Sequence, residues 1–227
     1  MSEAAGYQAK VYICGASTAI TDEACSQVGS TKTYKITNAD HRILDQSVAI
    51  VVKDGGTAVA AADLQEVRPL FGEVELAASY TPSGVITVDG AFLPLCQVPG
   101  AFDVKLSRKN TLADATKYLE GDAQKRRQVT LQEAQIDLKG HGTGFEDYDS
   151  DTDDVQSVDG LVSAGTPTLL HLDPSGEGTR AFRSWMVPES NDIGIPLADL
   201  CTYSTSWQST QRSPNNYTRA GFGWGAP

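Results

Sequence analysis

No stretch of this chain stays apolar for the roughly 18 residues that a membrane-spanning helix requires, so no membrane partner is expected. The opening segment MSEAAGYQAK lacks both a basic and an apolar region of the secretory kind, and no signal peptide is expected there. Cysteine is sparse and unpatterned. Cys14, Cys25, Cys96 and Cys201 include no CxxC pair, which argues against a zinc site. In a chain made in a reducing cytoplasm they read as buried or free thiols. Positive charge is short as well: 18 Lys and Arg face 29 Asp and Glu, a net charge of −11. Proteins that grip nucleic acid are basic, because released counterions supply most of their affinity. This chain would repel DNA rather than hold it, which leaves room for a protein that DNA slides past.

Catalytic signatures are missing too. There is no P-loop, no GxGxxG and no HExxH. HGTGF (141–145) has the look of an oxyanion loop, but no GxSxG nucleophile accompanies it, and it reads as a Gly-rich turn after a strand. His171 alternates with Leu170 and Leu172 and reads as a sheet-face histidine, while His41 sits in a turn-like ADHR stretch. No enzyme activity and no cofactor are expected.

What the chain does have is period-two alternation. In AFDVKLS (101–107), Phe102, Val104 and Leu106 fall on one face and Asp103, Lys105 and Ser107 on the other, as in a half-buried antiparallel strand. VTLQEAQIDLK (129–139) starts with Val129 and Leu131, then resumes out of phase with Ala134, Ile136 and Leu138. A one-residue slip flips every side chain, so a β-bulge is predicted near Gln132 or Glu133. AKVYIC, TKTYKIT, SVAIVVK, EVELAAS and GVITVDG are further strands; PTLLHLD, TRAFRSWMVP and DLCTYSTSWQS follow late in the chain. Segments 21–32 and 141–154 read as long loops. Two short helices are predicted. One covers 111–120, with Leu112, Ala115 and Leu119 on one side after Thr111; the other covers 155–165, stopped by Gly165. At 227 residues this is one mainly β domain, a β-sandwich or barrel-like fold with one or two short α-helices and extended loops.

FEDYDSDTDD (145–154) holds six carboxylates and no base. The helix after it accounts for a few of them, since the helix N-terminus favours negative charge and Asp153 or Asp154 can cap it. Calcium is the alternative occupant. Counted from Asp147 as an EF-hand, Asp149 and Asp151 match the early ligand positions, but Thr152 stands where Gly is needed and Val158 where a bidentate Glu is needed. The loop therefore reads as a solvated acidic surface, with Asp147, Asp149 and Asp151 the only metal candidates. The end of the chain, RSPNNYTRAGFGWGAP, is aromatic and without periodicity. It reads either as a frayed terminus or as an arm docking Tyr217, Phe222 and Trp224 on a neighbouring subunit.

The order of these elements resembles the major tail tube proteins of long-tailed, non-contractile bacteriophages. Four stretches carry the resemblance: TYKITNADHRILDQSVAIVVKDGGTAV (33–59), VELAASYTPSGVITVDGAFLPL (74–95), AFDVKLSRKNTLADATKYLEGDAQKRRQVTLQEAQIDLKG (101–140), and the second helix followed by TPTLLHLDPSGEGTRAFRSWMVP and LADLCTYSTSWQST. The acidic loop and the aromatic tail depart from the family pattern. The resemblance implies a tail-tube β domain over 1–210, with an N-terminal arm at 1–8, the acidic loop at 141–154 and a C-terminal extension at 211–227. It implies copies of the chain itself closing into rings, six to a ring, stacked into a tube that conducts double-stranded DNA without binding it specifically. The implied partners are the tape measure protein and the tail terminator and tail-tip proteins, and the implied location is the virion tail, assembled in the bacterial host cytoplasm. A tube protein of a contractile injection or secretion machine and a calcium-dependent adhesion or decoration module are the alternative readings.

Overall fold

The structure, a computed structural model, describes residues 10–98, 101–114, 127–141, 165, 167–174, 181–194, 202–210 and 222–225. The first strands are β1 (Lys10–Cys14), β2 (Thr18–Gln27), β3 (Thr33–Ile36), β4 (Val51–Asp54) and β5 (Thr57–Ala58). β6 (Leu64–Arg68), β7 (Glu73–Leu76), β8 (Ile86–Phe92) and β9 (Leu95–Gln97) follow. The later strands are β10 (Ala101–Asp114), β11 (Arg127–His141), β12 (Thr168–Asp173), β13 (Ala181–Gly194), β14 (Thr202–Ser209) and β15 (Phe222–Gly225). Among the described residues, helix is confined to three single 3-10 turns at Ala39–His41, Ala61–Asp63 and Pro69–Phe71.

The fold is mainly β, as the alternation predicts, and it is built from two antiparallel sheets. The first runs in the order β10-β11-β14-β13-β12-β1-β9, with β15 added to β13; the second runs β5-β4-β8-β2-β3-β7-β6. One face of the first sheet collects Val11, Ile13, Ile136, Leu138, Leu170, Leu172, Phe182, Met186, Tyr203 and Trp207 into a buried cluster. These residues come from alternate positions; β10, β11 and β14 turn polar side chains the other way, while β12 and β13 are buried on both faces at Leu169 and Trp185. Val104 and Leu106 pack against the cluster while Asp103 and Lys105 are exposed. Tyr203, Thr205 and Trp207 are buried together, and the Trp207 indole N–H donates to the Thr205 hydroxyl at 2.7 Å. Gly140 stands opposite Tyr203 in the ladder, and a Cβ placed there would meet the Tyr203 ring. Only glycine fits.

The second sheet has a separate cluster of Ile20, Ile36, Leu44, Val52, Val74, Leu76, Ile86 and Val88. Its strands are short, and polar side chains fasten them. The Asp54 carboxylate accepts from the Ser83 N–H at 2.7 Å, the Gly84 N–H at 2.6 Å and the Tyr80 hydroxyl at 2.9 Å. The bond from the Ser83 backbone, with those from Tyr80 and Gly84, holds its carboxyl below the usual carboxylate range. Arg68 bridges Glu66 at 2.6 Å, Glu75 at 3.1 Å and Glu73 at 3.3 Å across β6 and β7. In β2, Asp22 takes a left-handed φ of 52° at a bulge, donates its N–H to Asp89 at 2.8 Å, and accepts from Lys53 at 2.9 Å. Aspartate tolerates that backbone region better than most residues.

The two sheets meet through Ile43, Leu70, Leu93, Leu169 and Trp185. A buried polar pair accompanies them. Arg183, on β13, donates its Nε to His171 Nδ1 at 3.1 Å and its Nη1 to the Leu70 carbonyl. Burial, with the Arg183 charge beside it, pushes His171 down to about 4, so the imidazole is neutral at physiological pH.

Several expectations shift. The helix predicted over 111–120 does not begin where expected: Thr111–Asp114 continue β10, paired with Arg127–Leu131. Cross-strand hydrogen bonds win there over a weak i, i+3 pattern. The predicted bulge is displaced. Gln132 and Glu133 pair regularly with Asn110 and Lys109, and the ladder slips one step further on, leaving Thr130 as the extra residue. Segment 21–32 is not a loop through its first half, because β2 runs to Gln27. SVAIVVK becomes a strand only from Val51, since the Asp45 carboxylate accepts from the Ser47 N–H at 2.8 Å and bends the chain first. The second predicted helix lies outside the described residues apart from Gly165, which forms a turn with φ 58°.

Candidate assembly interface

β10 closes one end of the first sheet and pairs only with β11 among the described strands. At 14 residues it is long for an edge strand, and its outer rim of N–H and C=O groups is a template for another chain. Its partner β11 is itself held by β14 only from Gln135 to His141. Beyond that point, among the described residues, β10 and β11 continue to the pair Asp114↔Arg127 as a two-stranded ribbon. Such ribbons are marginal in water without further packing.

The polar face of this part of the sheet is an ordered hydrogen-bonded surface. Gln135 donates to Asp137 at 2.8 Å and to Ser206 at 3.2 Å, and the Ser206 hydroxyl donates to Asp137 at 3.1 Å. Lys139 reaches Asp103 at 4.0 Å, and Gln208 donates to Glu189 at 2.9 Å. Asp103, Asp137, Glu189 and Asp192 face Lys105 and Lys139 here, so the surface is net acidic. A phosphate polymer would find hydroxyls and carboxylates rather than a run of cations.

Of the residues singled out in sequence, Phe222 and Trp224 lie in β15, opposite Ser184 and Phe182 of the chain's own β13. Tyr217 lies outside the described residues, as do Asp147, Asp149 and Asp151 and the rest of the acidic loop after His141. Among the described residues no three His, Cys, Asp or Glu side chains converge to hold a metal ion, and no helix is long and apolar enough to cross a membrane. His41 sits against Glu23 at 3.0 Å and stacks on Phe92 with ring centroids 4.1 Å apart. His141 ends β11 on the surface. Cys14 and Cys96 are on adjacent strands, but Cys96 stands opposite Ile13 and Cys14 opposite Leu95, which puts the two thiols on opposite faces. Sequence reasoning marked the strands of this interface but missed the open edge, which is a property of sheet order alone.

No family model matches the chain, and no curated protein matches it. Among solved structures it is similar to a chain of the virion of a native gene transfer agent particle, at 14% identity and TM-score 0.41, over 52% of this chain and 85% of that one. It is also similar to a chain of the tail of an empty gene transfer agent particle with C6 symmetry, at 11% identity and TM-score 0.40, over 52% of this chain and 84% of that one. Both likenesses span about half of the chain.

Proposed function

We propose that the chain is a structural virion protein that assembles with copies of itself into stacked rings, hexameric in the resemblance, forming the tube of a phage tail through which DNA passes. The observation that carries this reading is the 14-residue edge strand β10 together with the ribbon it shares with β11. A soluble monomer normally blunts such an edge, whereas a subunit that adds a neighbour's strand loses it by assembling. A head-to-tail contact that closes on itself makes a ring, and rings that stack make an open filament. Support comes also from the acidic, hydroxyl-rich face beside that edge and from the net charge of −11, which give DNA nothing to cling to. In this reading Tyr217, Phe222 and Trp224 carry a second contact between copies. The tape measure, terminator and tail-tip proteins are the partners, the virion tail is the location, and no catalysis, cofactor or metal is involved.

The test is negative-stain microscopy of the purified chain with two proline variants, Ser107→Pro and Arg108→Pro. Adjacent residues of a strand point their N–H groups to opposite sides, so one of the two prolines removes only an outward donor. That variant is expected to keep the wild-type circular dichroism spectrum and to lose rings and tubes. A wild-type chain that stays monomeric at every concentration, or tubes that form equally well with both prolines, would overturn the proposal.

A further inference from the structure

Where the two sheets meet, a cleft of about 650 Å³ opens between Tyr12, His171 and Arg183 on one side and Arg42, Ile43 and Phe92 on the other. That is the size of a small-molecule pocket, which runs from about 300 to 1,000 Å³. Its chemistry is lopsided. Arg183 is 2% exposed, and among the described residues its hydrogen bonds and ring contact go to neutral groups: the His171 imidazole, the Leu70 carbonyl and the Phe71 ring, whose centroid lies 5.2 Å from the guanidinium carbon. No carboxylate forms an ion pair with it among the described residues. A guanidinium taken out of water without a counter-charge is costly, and neutral partners return only part of that cost.

A second cation makes the imbalance larger. Arg42 lines the same cleft and donates to the Ile36 carbonyl at 2.9 Å and the Thr37 carbonyl at 3.4 Å. Burial first, and the Arg42 charge second, bring Arg183 down to about 10, so its guanidinium stays charged at neutral pH. Asp40 and Asp173 also line the cleft, but Asp40 sits on the exposed 3-10 turn capped by Asn38, and Asp173 stands opposite Lys10 in the β1–β12 ladder. Neither offsets the burial of Arg183. The remaining wall is apolar, from Phe92, Pro94 and Leu95.

We propose that this cleft binds a carboxylate carried on a small apolar body, the carboxylate against Arg183 and Arg42 and the body against Phe92, Pro94 and Leu95. The flat guanidinium fork matches a carboxylate in two parallel hydrogen bonds. The apolar wall, the exposed Asp40 and the buried Asp173 disfavour a more highly charged phosphate. The ligand is either a free organic acid or an acidic side chain presented by a second copy of the chain. The site stands without the assembly proposal, since nothing in its argument uses the β10 edge.

The experiment titrates benzoate into the full chain, followed by NMR shifts of residues around the cleft, with benzamide as its neutral match and inorganic phosphate as a second anion. A saturable response to benzoate, with benzamide and phosphate each at least about tenfold weaker, is expected. Arg42→Gln removes one charge. Ala39→Trp, at an exposed lining position, crowds the mouth while leaving both arginines in the sequence, and keeps the test valid should Arg42→Gln fail to fold. Each is expected to weaken benzoate binding by at least about tenfold. No saturable response in the folded wild-type chain, an equal response to benzamide or phosphate, or binding indifferent to Ala39→Trp would overturn the site. Sedimentation at saturating benzoate separates the sources: dissociation of assembled copies assigns the carboxylate to a neighbour's side chain, and unchanged assembly assigns it to a free acid.

Discussion

The two sheets solve the same problem with different means. In the first, β10, β11 and β13 run for 14 or 15 residues, and a continuous apolar cluster around Trp207 and Phe182 lies under one face. In the second, β4, β5 and β7 span four residues or fewer, and side-chain staples at Asp54, Arg68 and Lys53 make up for ladders too short to hold themselves. Long strands with a one-sided core leave an edge and a polar face available for other molecules. Short strands tied by polar groups leave only short edges, here β5 and β6. The first sheet should therefore answer to cavities, the second to charge and salt, and the seam between them to pH.

The largest effect is expected in the first sheet. Trp207→Ala empties a fully buried site and leaves the Thr205 hydroxyl without its indole donor. Loss of such a side chain costs about 3–5 kcal/mol, visible as a lower urea midpoint that does not change between low and high salt. A salt-dependent loss would break the contrast.

The seam comes next. His171 is lowered from its ordinary 6.5 to about 4 by burial and then by Arg183. Between those values the unfolded chain binds a proton that the folded chain does not, so stability is full above pH 6.5 and falls as pH drops toward 4. The loss is on the order of 3 kcal/mol if the whole shift is realised. His171→Gln keeps an acceptor for Arg183 and has no proton to bind, so it should flatten that slope in pH-dependent urea melts. An unchanged slope would assign the pH response to other groups.

Smallest is the staple. Arg68 is partly exposed, and its removal in Arg68→Met leaves Glu66, Glu73 and Glu75 facing one another. A cost of about 1 kcal/mol is expected at low salt, shrinking toward 1 M, where the screening length is about 3 Å. Hydrogen exchange at Val67 and Val74 should report it while Leu138 stays protected. Equal loosening of both sheets would erase the distinction drawn between them.

Much of the first sheet could be read in advance, because strands such as β10, β11 and β14 have one wet and one dry face and period two is then unmistakable. Tyr203 and Trp207, or Val104 and Leu106, announce themselves that way. β2 did not, since in TAITDEACSQ only Ile20 is buried and the bulge at Asp22 breaks the phase. The strand at Thr111–Asp114 was masked by apolar residues that also fit a helix. The cleft was invisible: Arg42 is far in sequence from His171 and Arg183, and His171 read alone is only a residue on a sheet face.

By itself the sequence determined the β class, the strands with a clear inside and outside, and an acidic chain ill-suited to gripping DNA. These follow from local backbone preference and from the sum of charges, neither of which depends on what lies across the molecule. Tertiary structure alone decided which strand became the edge, where the ladder slipped, and that two arginines came to share a cleft in which no carboxylate among the described residues forms an ion pair with the buried one. Sheet order and burial arise from contacts between distant segments, and no period in a linear chain encodes them.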